Sequence, residues 1–333
     1  MTAMVIRTAL VAVVVVVATG GAVLAASGEP DDDASQRGAG TWDSTLEQSP
    51  FQRSEVGAAR IGDRIYVVGG YLASGRTVRR MAAYDISEDA WRKLPGLPRP
   101  ANHPGVTALR GKLYVLGGQR GAANHSSDDL WRYSPASRRW KRLPDAPTAR
   151  AAMGFAAGAG KLYAAGGQAT GNFELRRLEV YDVSRRRWRR RTPMPTGRNH
   201  LTAVFARGAL WAIGGRRPGG NLATVERYRP AAGRWKSGPA LNVERGGLAA
   251  AVARRSIVVF GGEDLGAGGT TIAEVERLPL ADRDGPWQLI EPMPTPRHGL
   301  GGAAKGGFVY ALEGGTEPGL SVSNLLERLD LPD

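Results

Sequence analysis

A short pattern that recurs six times constrains this chain more than any other feature. Each copy is an apolar run that ends in two glycines, as in Lys112 to Gly118. The first glycines of the six pairs are separated by 48, 49, 48, 47 and 53 residues. A near-constant period of this length predicts a repeat architecture, in which each unit buries its core only against its neighbours. The first glycines are Gly69, Gly117, Gly166, Gly214, Gly261 and Gly314.

The composition favours all-β structure and excludes several kinds of chemistry. The 46 glycines and 21 prolines lie between the periodic apolar runs, which is typical of a loop-rich β protein. The chain has no cysteine. This excludes disulfides, thiolate metal sites and cysteine nucleophiles.

The N-terminal segment has the features of an export signal. Residues 1–26 carry one charge, Arg7, followed by nineteen uncharged residues from Thr8 to Ala26. This pattern predicts an apolar helix that is either a cleaved signal peptide or a transmembrane anchor. Residues 27–40 are polar and predict a flexible linker. We therefore expect an extracytoplasmic protein that is membrane-anchored, or secreted after cleavage.

The pattern of each repeat unit predicts four strands, a to d, with a tryptophan near the start of strand d. The sixth glycine pair is followed by a strand c but by no such tryptophan, whereas Trp42 stands 49 residues before Trp91. We predict that the segment around Trp42 supplies strand d of the last unit and closes the ring. The other strand-d tryptophans are Trp140, Trp188, Trp235 and Trp287.

Together with the glycine pairs and the tryptophans, a tyrosine in strand c completes a pattern that resembles the Kelch repeat. The resemblance implies an all-β, six-bladed Kelch β-propeller over residues 41–333. The last two units depart from the pattern, because leucine replaces the tyrosine there. The strand-c residues are Tyr84, Tyr133, Tyr181, Tyr228, Leu278 and Leu329.

An arginine stands sixteen residues before the first glycine in four units and seventeen before it in the sixth; the second unit has Ala101 instead. These arginines lie on the connection from strand d to the next strand a, on the same face as the b-to-c loops. Each could pair with a backbone carbonyl or an acid of the neighbouring blade, or the set could bind an anion or sugar acid at the channel mouth. The ligand-binding candidates are Arg53, Arg150, Arg198, Arg245 and Arg297, with His200 and His298.

The histidines do not form an obvious metal motif. His103 and His200 occupy equivalent positions in their units, and His298 directly follows Arg297. A zinc or copper ion needs three or four converging ligands, and equivalent positions of non-adjacent blades converge only where they line the channel. We predict no metal ion and no cofactor.

The chain is strongly basic, with a formal net charge of +14. Arginines are concentrated around the c-to-d turns, which we expect on the face opposite the variable loops. They are either solvated charges or contacts for an anionic membrane or envelope polymer; export argues against nucleic acid as a partner. The candidates are Arg185, Arg186, Arg187, Arg189, Arg190 and Arg191.

The b-to-c loops differ most between units, and variable loops on a repeated scaffold are where binding usually occurs. We therefore predict a monomeric binding module for a protein or glycan. The chain is also similar to exported six-bladed Kelch mutarotases of sialic acid, which implies a carbohydrate enzyme as the alternative. Its candidate groups would be Arg198, Arg245 and Arg297, with Glu244, Glu55 or Glu263 as proton acceptor.

Overall fold

The computed structural model describes residues 40–121, 125–266 and 269–332. The predicted export segment and residues 27–39 of the predicted linker lie outside the described residues. The part of the chain that is described consists of strands and loops, and it contains no helix able to cross a lipid bilayer.

Six four-stranded antiparallel sheets form the blades of a propeller, which confirms the predicted all-β, six-bladed architecture. The chain enters through β1 (Thr41–Asp43). Blade 1 contains β2 (Ser54–Ile61), β3 (Arg64–Tyr71), β4 (Met81–Asp85) and β5 (Ala90–Leu94). Blade 2 contains β6 (Gly105–Leu109), β7 (Lys112–Leu116), β10 (Leu130–Ser134) and β11 (Arg139–Leu143), with β8 (Gln119–Arg120) and β9 (His125–Ser126) as a ribbon in its b-to-c loop.

Blade 3 contains β12 (Gly154–Gly158), β13 (Lys161–Ala165), β14 (Leu178–Asp182) and β15 (Arg187–Arg191). Blade 4 contains β16 (Thr202–Ala206), β17 (Ala209–Ile213), β20 (Val225–Arg229) and β21 (Arg234–Ser237), with the ribbon β18 (Arg216–Arg217) and β19 (Gly220–Asn221). Blade 5 contains β22 (Ala249–Ala253), β23 (Ser256–Phe260), β26 (Val275–Pro279) and β27 (Gln288–Ile290), with the ribbon β24 (Glu263–Asp264) and β25 (Thr270–Thr271). Blade 6 contains β28 (Gly301–Lys305), β29 (Phe308–Gly314) and β30 (Ser323–Asp330), and β1 is its fourth strand.

The ring is continuous around its axis. The inner strand of each blade packs against the inner strands of both neighbours, and β28 packs against β2. On the outer edge of blade 6, β1 pairs antiparallel with β30, so that Trp42 lies opposite Leu329. Both ends of the described propeller therefore contribute strands to one blade.

The hydrophobic core lies between adjacent blades. The cluster between blades 1 and 2, for example, joins Tyr66 and Val68 to Leu113 and Tyr133. Each strand-d tryptophan adds a hydrogen bond from its indole Nε1 to a backbone carbonyl oxygen outside its own strand. Trp42 makes the corresponding bond to the oxygen of Glu291, at 3.1 Å. The others donate to Glu47, Pro95, Pro144, Thr192 and Pro239, at 2.7 to 3.0 Å.

The glycine pairs allow the connection between blades to pass close to the end of strand b. In blade 2, Gly117 and Gly118 have φ values of 64° and 91°, which favour glycine. The amide of Gly118 donates to the carbonyl oxygen of Arg150, at 3.0 Å, and a Cβ on Gly117 would overlap that same oxygen. The pair thus positions the d-to-a connection at one end of the channel.

Candidate functional site

The five arginines that precede the glycine pairs at a regular spacing lie inside the blades, and each is 0% exposed. Every guanidinium group binds a glutamate carboxylate that is itself buried, together with backbone carbonyl oxygens. In Arg198, for example, Nη1 donates to Glu226 and Nε donates to the carbonyl oxygen of Gly214. Of the two alternatives left open by the sequence, this arrangement favours pairing over ligand binding. The nitrogen–oxygen distances are 2.7 Å for Arg53–Glu313, 2.7 Å for Arg150–Glu179, 2.6 Å for Arg198–Glu226, 2.9 Å for Arg245–Glu276 and 2.7 Å for Arg297–Glu327.

The arginine and its glutamate occur together. In blades 3 to 6 the glutamate lies in strand c, two residues before the tyrosine or leucine of the repeat. Blade 2 has neither partner, because Ala101 and Trp131 occupy the two positions. This correlated pattern was present in the sequence and would have identified the pairs of blades 3 to 6.

Blade 1 has Ala82 where the glutamate would stand, so Arg53 takes its partner from blade 6. That partner is Glu313, the extra residue before the last glycine pair. The register of β29 and β30 shifts at this point, and Glu313 has a φ of 55°. The bulge supplies the missing carboxylate, which receives two hydrogen bonds from Arg53 and one from Ser49.

A second ring of equivalent residues lines the channel, two positions after each arginine or its substitute. All six residues have a left-handed backbone. The backbone amide of each ring residue donates to the carbonyl oxygen of the ring residue in the preceding blade, at 2.8 to 3.1 Å. In blade 1 the donor is the amide of Val56, which follows Glu55. These hydrogen bonds run around the axis through all six blades. The residues and φ values are Glu55 (52°), His103 (51°), Ala152 (49°), His200 (49°), Gly247 (72°) and Gly299 (58°).

Three side chains of this ring face a cavity of about 140 Å³ at the channel mouth, which Glu55, His103 and His200 line. Small-molecule pockets usually measure about 300–1,000 Å³, so this one accepts an ion, one side chain or part of a sugar. Oε2 of Glu55 lies 3.0 Å from Nε2 of His103. The rings of His103 and His200 meet edge to face, with centroids 4.8 Å apart.

A further group of charged residues adjoins the ring. Nδ1 of His298 lies 3.3 Å from Oε1 of Glu55 and 3.5 Å from Oε2 of Glu263. The other oxygen of Glu263 accepts a hydrogen bond from Arg216, at 2.9 Å. The mouth thus holds two carboxylates, three imidazoles and one guanidinium among the described residues.

The electrostatics of the mouth follow from burial and from these neighbours. Burial tends to raise the pKa of Glu55, but the imidazoles of His103 and His298 outweigh it and hold that pKa well below the usual range. Burial lowers the pKa of His103, and it lowers the pKa of His200 strongly, with Arg216 adding to the effect. Burial also tends to lower the pKa of His298, but the two nearby carboxylates raise it overall. Glu55 is therefore a carboxylate across the physiological range.

The remaining candidates do not line the cavity. Glu244 and His125 are exposed. The six arginines of the basic stretch are exposed, and Arg187, Arg189, Arg190 and Arg191 belong to β15, the outer strand of blade 3. Charges on an outer strand also prevent edge-to-edge pairing with another sheet.

The loops around the mouth expose large apolar side chains. Phe173, Leu265 and Leu320 lie in the b-to-c loops of blades 3, 5 and 6, and their exposed fractions are 61%, 56% and 65%. The sequence prediction of variable loops did not single out these residues. Three of the six b-to-c loops thus present an exposed apolar side chain.

Known proteins resemble this chain in sequence and in fold. The KLHDC2/KLHL20/DRC7 Kelch-repeats domain matches residues 40–194 and 106–315. Kelch-like protein 35 of Mus musculus is 32% identical over 94 residues, which are 28% of this chain and 15% of that protein. Kelch-like protein terF of Aspergillus terreus is 35% identical over 78 residues, 22% of this chain and 17% of that protein.

Among solved structures, the "Structure of YjhT" superimposes with a TM-score of 0.71 at 17% identity, and the match covers 84% of this chain and 96% of that one. This likeness shows the shared propeller fold. The family match spans most of the described propeller and agrees with the glycine, tyrosine and tryptophan pattern. The chain therefore belongs to the Kelch-repeat family.

Proposed function

We propose that this chain is a binding module that recognises a protein or glycan partner through the face formed by the b-to-c loops and the d-to-a connections. The observation that carries the proposal is the composition of the channel ring. Gly247 and Gly299 provide the left-handed backbone without strain, whereas Glu55, His103, Ala152 and His200 adopt it as non-glycine residues, and three of these four have polar side chains that face the cavity. Such conformations cost about 1–3 kcal/mol each and are typical of functional sites. The polar side chains of Glu55, His103 and His200 at these positions support a binding role for the mouth.

The surroundings of the mouth support a macromolecular partner. The cavity is too small for a whole sugar or peptide, so a ligand has to lie across the face and insert one group. Phe173, Leu265 and Leu320 offer apolar contacts around that group, and aromatic or apolar anchors beside a polar centre are typical of protein interfaces. Kelch propellers are typically protein-interaction modules, which agrees with this proposal.

Site-specific photo-crosslinking tests the face. A photoreactive phenylalanine analogue at Phe173 should cross-link a partner in cells that express the chain. The same analogue at Leu289, which is 59% exposed on the outer strand of blade 5, is the matched control and should not. The partner recovered should bind E55Q and H200A more weakly than wild type. Equal cross-linking from both positions, or unchanged affinity of both variants, contradicts the proposal.

We also propose that residues 1–26 direct the propeller out of the cytoplasm and that the arginines of residues 185–191 contact an anionic surface. The proposal rests on the apolar N-terminal run and on the exposure of these arginines. Sedimentation with vesicles at low salt should recover more protein with anionic than with neutral lipid. The triple variant R187Q/R189Q/R191Q should be recovered equally with both lipids. Equal recovery of wild type with anionic and neutral lipid contradicts the proposed contact with an anionic surface.

A second candidate function is the carbohydrate mutarotase, and the proximity of His298 to Glu55, at 3.3 Å, favours it. Opening a cyclic sugar requires a base that takes the proton of the anomeric hydroxyl and an acid that protonates the ring oxygen. Glu55 can accept the proton and His298, whose pKa the neighbouring carboxylates raise, can donate one, whereas the buried arginines named from the sequence do not line the cavity. NMR of freshly dissolved sialic acid should show faster anomer exchange with wild type than with E55Q. No acceleration by wild type removes this candidate.

A further inference from the structure

Glu55, His103 and His200 converge at the channel mouth although they come from blades 1, 2 and 4. Their ligand atoms lie within 4.8 Å of one another. We predicted no metal ion from the sequence, because equivalent histidines converge only where they line the channel; in the structure His103 and His200 do line it. Two imidazoles and one carboxylate form a donor set that binds divalent transition-metal ions with positions left for water.

The spacing of two of the donors, Glu55 and His103, is close to that of two ligands of one metal ion. Oε2 of Glu55 and Nε2 of His103 are 3.0 Å apart. Two ligands of a tetrahedral zinc ion, each about 2.0–2.1 Å from the metal, are about 3.3 Å apart. A shift of a few tenths of an ångström therefore brings the pair to ligand separation.

Asparagines orient both imidazoles. The side-chain amide nitrogen of Asn199 donates to the carbonyl oxygen of Phe173, at 2.6 Å, so its Oδ1 faces Nδ1 of His200 and accepts the proton there. Oδ1 of Asn102 lies 2.5 Å from Nδ1 of His103 in the same way. With the proton on Nδ1, the lone pair of Nε2 is available on each ring. A hydrogen bond acceptor behind the imidazole is the usual support of a metal-binding histidine.

The mouth also contains polar atoms that lack hydrogen bonds. With the proton of His103 on Nδ1, the lone pair of Nε2 faces a carboxylate oxygen at 3.0 Å, so a second proton or a metal cation between the two atoms would stabilise the pair. His298, which is 1% exposed, has no hydrogen bond of acceptable geometry at either ring nitrogen among the described residues, although Nδ1 points towards Glu55. Buried polar groups without partners are rare and call for a specific explanation.

We propose that Glu55, His103 and His200 bind one divalent transition-metal ion, with Zn²⁺ as the probe, at the mouth of the channel. The inference concerns ion binding alone and does not rest on the proposed function. The Arg216 cation does not oppose it strongly, because Glu263 neutralises that charge in a direct ion pair. The competing set Glu55, Glu263 and His298 is less suited, because Arg216 forms an ion pair with Glu263 and no asparagine among the described residues hydrogen-bonds to His298.

Isothermal titration calorimetry of the purified, tag-free full chain, stripped with a chelator, tests the site. Wild type should bind one Zn²⁺ per chain and should not bind Mg²⁺, which prefers oxygen ligands. E55Q, H103A and H200A should each weaken Zn²⁺ binding by at least about 100-fold, the upper limit of what the loss of a supporting partner costs. H125A removes an exposed histidine and should bind like wild type.

Asn199 provides a test of positioning. N199L should weaken Zn²⁺ binding about 10–100-fold, whereas N199D keeps an acceptor oxygen and should restore it. If a ligand variant fails to fold, Co²⁺ added to wild type should give a visible d–d absorption that one equivalent of Zn²⁺ removes. The proposal is overturned if wild type binds no Zn²⁺ and gives no Co²⁺ band, if H125A loses binding like H200A, or if H298A abolishes binding and H200A does not.

Discussion

The substitution E313Q tests whether the bulge of blade 6 exists to neutralise Arg53. Both side chains are 0% exposed. Arg53 donates from Nε and Nη2 to the two carboxylate oxygens, at 2.8 Å and 2.7 Å, while its Nη1 donates to the carbonyl oxygens of Gly69 and Arg80. Glutamine keeps the size of the side chain but leaves the guanidinium charge buried without a counter-charge.

Removing one partner of a buried ion pair costs about 3–5 kcal/mol. At about 2 °C per kcal/mol for a propeller of this length, the melting temperature should fall by about 6–10 °C. The free energy of unfolding in urea and the melting temperature by circular dichroism measure the effect. E88Q is the matched control, because Glu88 binds Arg92 at the same 2.7 Å distance but both side chains are more than half exposed. Its cost should stay within about 1 kcal/mol.

The double variant R53M/E313L completes the test. It removes both charges and should recover most of the stability lost in E313Q, because no buried charge then lacks a partner. Two results would refute the reasoning: an E313Q variant as stable as E88Q, or a double variant less stable than E313Q. Blade 2, which has Ala101 and Trp131 at the corresponding positions, already shows that a blade can be built without the pair.

Two further predictions concern the repeat scaffold. G117A should destabilise the propeller by more than about 3 kcal/mol, because its Cβ would overlap the carbonyl oxygen of Arg150 in addition to the strain of a positive φ; G62A, with a similar φ of 61° and no atom within 4 Å, should cost only about 1 kcal/mol. Urea unfolding compares the two, and equal costs would mean that the close approach is unimportant. W42A should lower stability by about 2 kcal/mol, because a half-buried tryptophan loses its packing and its hydrogen bond to Glu291. A melting temperature equal to that of wild type would show that β1 contributes nothing to blade 6.

The sequence determined the features that each blade repeats. The glycine pairs predicted six blades because every blade meets the same steric problem where the next connection crosses strand b. The recurring tryptophans predicted a role for Trp42, and in the structure its indole makes the same kind of hydrogen bond as the other five. Such local solutions recur at a fixed period and are therefore visible in one sequence.

The arginines show what the repeat pattern alone could not predict. Their spacing located them on the d-to-a connections, but whether a guanidinium group binds a ligand or a glutamate depends on what lies beside it after folding. Desolvation makes an unpaired buried charge costly, and the strand-c glutamates remove that cost. Only the tertiary structure showed that Glu313, from the other end of the chain, completes the set for Arg53.

The channel mouth was decided by the tertiary structure alone. The sequence placed His103 and His200 at equivalent positions of their units, but it did not show that Glu55, 145 positions before His200, would lie beside them. Closure of the ring brings these positions around one axis, where side chains from non-adjacent blades come within a few ångströms of each other. The repeated residues build the scaffold, and the site arises where equivalent positions differ, because only there does the closed ring place unlike groups together.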